Sequence, residues 1–423
     1  MNKKLFDYIE SSPTAYHACE SAAKELTKAG FCRVFEGDDW NLERGKSYFV
    51  TRNGSSLIAF RVPRGDFKGF MITAAHGDSP CLKIKENSEL SDANYTKLSV
   101  ETYGGTIFSS WFDRPLAVAG RVAVKGERGI ELRLIDSHKP CAIIPNVAIH
   151  LNREINRGYS YNAAVDLLPL FDNDKQSFSA LVAELANSDE ESVVAKDLYL
   201  YNPQPCVEFG KYISAPRLDD LQCAFASLTA FLQAKEGGSM PVYALFDNEE
   251  VGSTTKQGAA STFMADVIDR IIKCVSGAEK SALLANSLML SCDNAHAVHP
   301  NHPEYADKNH SVYMNKGVVI KHNANQKYTT DAASAAMFKL ICSEAGVPVQ
   351  EYANRADMAG GSTLGNISNT QVSLNTVDIG LAQIAMHSSY ETAGSRDTQY
   401  MVDALKCFFS KHIHETNQGY ELI

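Results

Sequence analysis

A chain of 423 residues is too long for one ordinary hydrophobic core, which predicts two domains. With 44% hydrophobic and 21% charged residues it has a soluble, globular composition, and a net charge of -10 argues against nucleic acid and against anionic lipid as partners. No apolar run approaches the roughly 18 residues of a membrane span. The opening MNKKLFDYIESSP lacks a signal-peptide core, and the ten cysteines are scattered without a CxxC pair. The expectation is a cytoplasmic protein with reduced thiols.

Leu5 to Ala29 reads as helix, broken near Ser12-Pro13 and closed by Gly30. Tyr48–Thr51 and Leu57–Val62 flank Asn53-Gly54, a hairpin signal, and the apolar run Gly69–Ala75 leads into His76-Gly77-Asp78. From there to about Ala215 the texture changes to short alternating stretches, among them Ala117–Val124, Ile130–Ile135 and Leu198–Tyr201. That pattern predicts a β-rich domain over 86–215, inserted into a domain formed by 1–85 and 216–423. After Pro216, helices at Asp220–Lys235, Thr262–Val275, Asp331–Ala345 and Gln399–His412 alternate with strands. The strands fall at Pro241–Phe246, Leu288–Cys292, Val318–Lys321, Val347–Tyr352 and Val372–Asp378. This order predicts an α/β fold with a mostly parallel sheet flanked by helices.

The stretch Met240–Gln257, MPVYALFDNEEVGSTTKQ, organises the chemistry. A buried strand ends there in Asp247, Asn248, Glu249 and Glu250, and clustered carboxylates repel one another unless a cation joins them. Taken alone, such a run is also compatible with a polar strand-to-helix turn. Other strand or loop ends carry ligands of the same kind: His76 with Asp78, Asp219 with Asp220, Asp293, and His387. In α/β sheets ligands gather outside the carboxyl ends of the strands. Imidazoles mixed with carboxylates suit a pair of zinc-like ions better than magnesium. Two ions about 3.5–4 Å apart need a bridging carboxylate and polarise a water for attack on a carbonyl. His296, His299 and His302 fall at spacing three, but Pro300 and Pro303 prevent a shared helical face. Gly360-Gly361-Ser362 reads as a plain turn.

Taken in order, TAAHGDSPCLKIK, SAPRLDDL, FDNEEVGS, SCDNAHAVHPNHPEYADKNH, GVVIKHN and AMHSS resemble the aspartyl aminopeptidase (M18) family of dinuclear zinc exopeptidases. The resemblance covers nearly the whole chain and implies two Zn2+ per subunit, one exchangeable for Co2+ or Mn2+. It casts Asp219 as the bridge, His76 and Asp293 as further ligands of one ion, and Glu250 and His387 as those of the other. Glu249 would be the general base, and Asp78 would hold the His76 ring. A cis peptide is implied at Asp219-Asp220. Adjacent Glu249 and Glu250, read as extended, point to opposite sides and so hold different jobs. Gly77 departs from the family, which has a bulkier residue there, and predicts a looser backbone beside His76.

The same resemblance implies removal of an N-terminal residue, preferably Asp or Glu, from peptides. Lys321 would meet the acidic side chain, and a substrate ammonium group would find a carboxylate such as Glu250. His150, in IPNVAIHLNREIN, would reach a neighbouring subunit's active site within a dodecameric homo-oligomer. The inserted segment shows no evident role at the metal site and is assigned to subunit contacts. Two alternatives remain open: a dinuclear aminopeptidase of broad or neutral specificity, and a non-catalytic shell or cargo protein.

Overall fold

A computed structural model describes residues 1–91, 94–171 and 176–423. Its largest sheet has nine strands, in the order Cys32–Arg33, Ser47–Arg52, Ser56–Arg61, Met240–Phe246, Phe70–His76, Leu288–Cys292, Asn375–Gly380, Val318–His322 and Val349–Ala353. Its centre is parallel, and antiparallel neighbours flank it. The hairpin forms where Asn53-Gly54 places it, with positive φ at both residues and Arg52 opposite Ser56.

Because the central strands are buried on both faces, they read as continuous apolar runs rather than alternating ones. Along Met240–Phe246, Tyr243 and Leu245 join a core beneath the helices Ala15–Lys28, Leu218–Gln233, Ala332–Ala345 and Asp397–Phe409. Val242, Ala244 and Phe246 join the opposite core, under Phe263–Val275 and Leu364–Ser368. Ser12-Pro13 separates Asn2–Glu10 from Ala15–Lys28, and Gly30 follows the second helix at φ 85°.

The β-rich segment is a barrel. Cys81–Ser91, Thr96–Tyr103, Leu170–Phe171, Ala142–Ile143 and Pro115–Gly126 pair in that order, and Val193–Tyr201 closes the ring between the last and the first. Leu82, Leu98, Leu116, Val118, Phe178 and Leu198 fill its interior. Gly129–Asp136 pairs on the outside of Pro115–Gly126 and exposes Ile130 and Leu132. A further five-stranded sheet joins Tyr212–Ala215 to Glu391–Gly394 and Ala382–Ile384. It brings the chain entering Asp219 beside the loop that carries His387. No helix of the described residues is long and apolar enough to cross a membrane.

Candidate metal centre

Strand register gathers the site. Phe246 lies opposite His76, and the strand ending at Cys292 flanks Phe70–His76 on its other side. Three adjacent strands therefore deliver His76, the Glu249-Glu250 turn and Asp293 to one edge. Asp219 enters from the start of Leu218–Gln233, after Arg217 at φ 58°, and the Asp219-Asp220 peptide is cis. His387 arrives on a loop with positive φ at Ala385 and His387.

Two groups of potential ligand atoms result: His76, Asp219 and Asp293, and Asp219, Glu250 and His387, each within 4.8 Å of one another. His76 Nε2 stands 3.5 Å from Asp219 Oδ1 and 3.8 Å from Asp293 Oδ1. His387 Nε2 stands 3.5 Å from Asp219 Oδ2 and 3.4 Å from Glu250 Oε2. These separations are long for charge-assisted hydrogen bonds. They match the roughly 3.3–3.6 Å between two ligands that sit about 2.0–2.2 Å from one tetrahedral zinc. Asp219 Oδ1 and Glu250 Oε1 are buried without a hydrogen-bond partner, a state that native structures avoid unless an ion or water completes it. The donor set therefore fits a pair of zinc ions sharing Asp219.

Electrostatics point the same way. Burial, reinforced by neighbours such as Asp293, pushes Glu249 up to about 8, and burial beside Asp219 raises Glu250. Burial opposes protonation of His387, yet Asp219 and Glu250 outweigh it and hold the ring up to about 10. His76 is raised likewise against its burial, by Asp219, Asp293 and Asp78. Carboxylates and imidazoles shifted in this direction mark a buried site crowded with negative charge.

Each imidazole is oriented by its far nitrogen. His76 Nδ1 donates to the Asp78 carbonyl oxygen at 3.0 Å, with the Asp78 carboxylate farther off at 3.5 Å. His387 Nδ1 donates to the Gly105 carbonyl at 3.0 Å. The Asp78 carboxylate mainly holds the turn. It accepts the backbone N–H of Glu249 at 3.2 Å and of Glu250 at 3.1 Å, and the Tyr103 hydroxyl at 2.7 Å. Those two amides, with Asn248 at φ 61°, wind Glu249–Val251 into a 3-10 turn rather than the expected extended segment. Glu249 and Glu250 consequently line one cavity of about 370 Å³ together.

Lys321 is buried, not solvated. Its Nζ lies 3.1 Å from Asp293 Oδ2 and over the Tyr328 ring. Burial disfavours its charge, but Asp293 outweighs that and raises it. The backbone at Gly77 is tight rather than loose. Its N–H donates to Phe246 at 2.9 Å, and a Cβ there would meet Ala18 Cβ at 3.3 Å. His150 lies elsewhere, exposed on the barrel loop between exposed Ile149 and Leu151.

The inserted barrel does reach the candidate metal centre, which corrects the expectation that it has no role there. Besides Tyr103, its Gly104 backbone would bring a Cβ within 3.1 Å of Glu250 Cβ, and Ile107 N–H donates to the His387 carbonyl at 3.1 Å. Sequence reasoning missed Tyr103, Glu391 and Tyr328 and set His296 aside, although His296 and Tyr328 line the cavity. Tyrosines and glycines at barrel strand ends carry no motif, and in the sequence Gly104-Gly105 reads only as a turn.

A family model described as Aminopeptidase I zinc metalloprotease (M18) matches residues 8–409. The chain belongs to the M18 aminopeptidase family. A Probable M18 family aminopeptidase 2 of Clostridium novyi (strain NT) is 43% identical, over 96% of this chain and 98% of that relative. One of the same description from Pseudomonas paraeruginosa (strain DSM 24068 / PA7) is 41% identical over 97% and 98%. Among solved structures, the Ape4 and Nbr1 complex contains a chain with TM-score 0.92 and 35% identity, covering 96% of this chain and 85% of that one. The S. cerevesiae mApe1 dodecamer gives TM-score 0.86 and 28% identity, over 96% and 95%. The M18 chain described here is thus a zinc metalloaminopeptidase, and its mixed α/β architecture with a β-rich region is the fold of the family.

Proposed function

We propose that this M18 aminopeptidase holds two zinc ions, one on His76, Asp219 and Asp293 and the other on Asp219, Glu250 and His387. The observation that carries the reading is the shared Asp219, whose two oxygens face the two histidines. Zinc bound there supplies Lewis acidity toward a scissile carbonyl and toward a water. Glu249, lining the cavity beside these ligands, takes the proton of the attacking water and returns it to the leaving amine. A substrate ammonium group would find a metal-bound carboxylate such as Glu250, which lines the cavity. One zinc is exchangeable for Co2+ or Mn2+.

Removal of an N-terminal Asp or Glu is the preferred reaction, with Lys321 as counter-charge. Its ion pair with Asp293 favours a second reading, broad or neutral specificity, because that cation is already matched. Residues 1–85 and 216–423 form the catalytic domain with 86–215 inserted, although the barrel strands themselves run from Cys81–Ser91 to Val193–Tyr201 and Tyr212–Ala215 pairs with Glu391–Gly394. Val147, Ile149, Leu151 and Val165, all exposed in the segment between Ala142–Ile143 and Leu170–Phe171, are apolar side chains that subunit contacts would cover. A homo-oligomer, dodecameric like the mApe1 neighbour, would place His150 at a partner's site. Glu249→Gln tests the chemistry. It should keep its metals and lose roughly 10²–10⁴-fold in turnover on an aminoacyl chromogenic substrate, and near-normal turnover would refute the assignment.

A further inference from the structure

Glu391 opens the strand Glu391–Gly394 opposite Ala215, so the register sets it against the chain that turns into Asp219. The residue is only 2% exposed. Its Oε2 accepts the backbone N–H of Asp219 at 3.0 Å, and its Oε1 accepts the backbone N–H of His387 at 2.8 Å. A longer contact of 3.5 Å from Gln383 Nε2 also reaches Oε1. These partners are amides rather than cations, so the carboxylate is buried at a cost. Only a carboxylate accepts from both N–H groups at once; an amide side chain would turn a donor toward one of them.

The segment it grips needs holding. Ala385 and His387 sit at φ 60° and 69°, a region that non-glycine residues seldom adopt. The contact chain continues through buried side chains. Asn294 Nδ2 donates to Gln383 Oε1 at 3.2 Å and to Gln222 Oε1 at 2.9 Å, and Gln222 Nε2 donates to Thr398 Oγ1 at 3.0 Å. Asn294 follows Asp293 directly, so the network passes from Glu391 to the far side of the centre.

We infer that Glu391 is a positioning residue, fixing the backbones of Asp219 and His387 so that their side chains converge on one metal ion. This rests on the ligand assignment proposed above. The test compares zinc affinity, by competition with a chromophoric chelator, and the melting temperature of metal-stripped protein, for wild type, Glu391→Gln, Glu391→Asp and Glu250→Gln. Glu391→Gln should weaken zinc binding by roughly 10–100-fold, while the metal-free melting temperature stays near wild type. Glu391→Asp keeps the charge but is too short to span both amides, and it should remain weakened. Wild-type zinc affinity in Glu391→Gln would overturn the inference. Full recovery in Glu391→Asp would do so too, as would a loss of affinity matched by a lower metal-free melting temperature. Glu250→Gln separates the two levels. If it loses zinc while Glu391→Gln does not, only the positioning role falls; if it binds zinc as wild type does, the ligand assignment falls as well.

Discussion

At the scale of single residues, Lys321 and Tyr103 show how a neighbour changes the meaning of a side chain. A lysine at the end of GVVIK reads as a free counter-charge, but here it neutralises Asp293 at 3.1 Å. Lys321→Met therefore disturbs the metal centre as well as any acidic side chain in the pocket, and kcat/KM should fall for aspartyl and leucyl substrates alike. Losing one partner of a buried charge pair costs about 2–5 kcal/mol. If the acidic preference is genuine, the aspartyl-to-leucyl ratio of kcat/KM should drop a further tenfold or so. An unchanged ratio would move acid recognition away from Lys321. Tyr103 donates to Asp78 and accepts from Asn248 Nδ2 at 2.9 Å. Tyr103→Phe leaves both without that partner. Denaturant unfolding should show a loss of about 1–3 kcal/mol, with lower turnover because Asp78 holds the Glu249 turn. Unaltered stability and turnover would show that the hydroxyl is dispensable.

Secondary-structure elements were legible where one physical signal dominated. The central strands announced themselves as unbroken apolar runs, and Asp331 was readable as a helix start because it caps Ala332–Ala345 through Ser334. The Glu249-Glu250 turn was not legible, since its shape depends on the Asp78 carboxylate arriving from another strand. Nor was the closure of the barrel, which pairs Pro115–Gly126 with Val193–Tyr201 across a long stretch of sequence. The helix Ala15–Lys28 carries a pH dependence of its own. Burial lowers His17 from 6.5 to about 4, although nearby Asp136 opposes the shift, while His138, Arg217 and Lys24 add to it. The unfolded chain then binds the proton more readily than the folded one. This contribution to stability is complete above about pH 6.5 and is lost as pH falls toward about 4. In metal-stripped protein, His17→Gln should flatten the decline of unfolding free energy across that window. An identical decline in wild type and variant would remove His17 as its source.

For the whole molecule, the order of ligand-bearing strand ends was enough to point to side-chain groups in an α/β domain that could hold a metal, because such sheets collect ligands at their carboxyl edge. How the inserted barrel serves that site was not readable, because Tyr103, Gly104 and Gly105 act through shape and backbone rather than through a motif. His150 acts, in the proposed assembly, on a neighbouring subunit. Mixing His150→Ala with Glu249→Gln subunits should then restore part of the activity that each lacks alone, and a wild-type-like active monomer would contradict this. The claim on which all the others rest is a dinuclear centre built around Asp219. The most direct measurement is the zinc content per chain of purified protein, beside Glu249→Gln and Glu250→Gln. The account predicts two zinc ions in wild type and in Glu249→Gln, and one in Glu250→Gln. A single ion in wild type, or an undiminished count in Glu250→Gln, would contradict it.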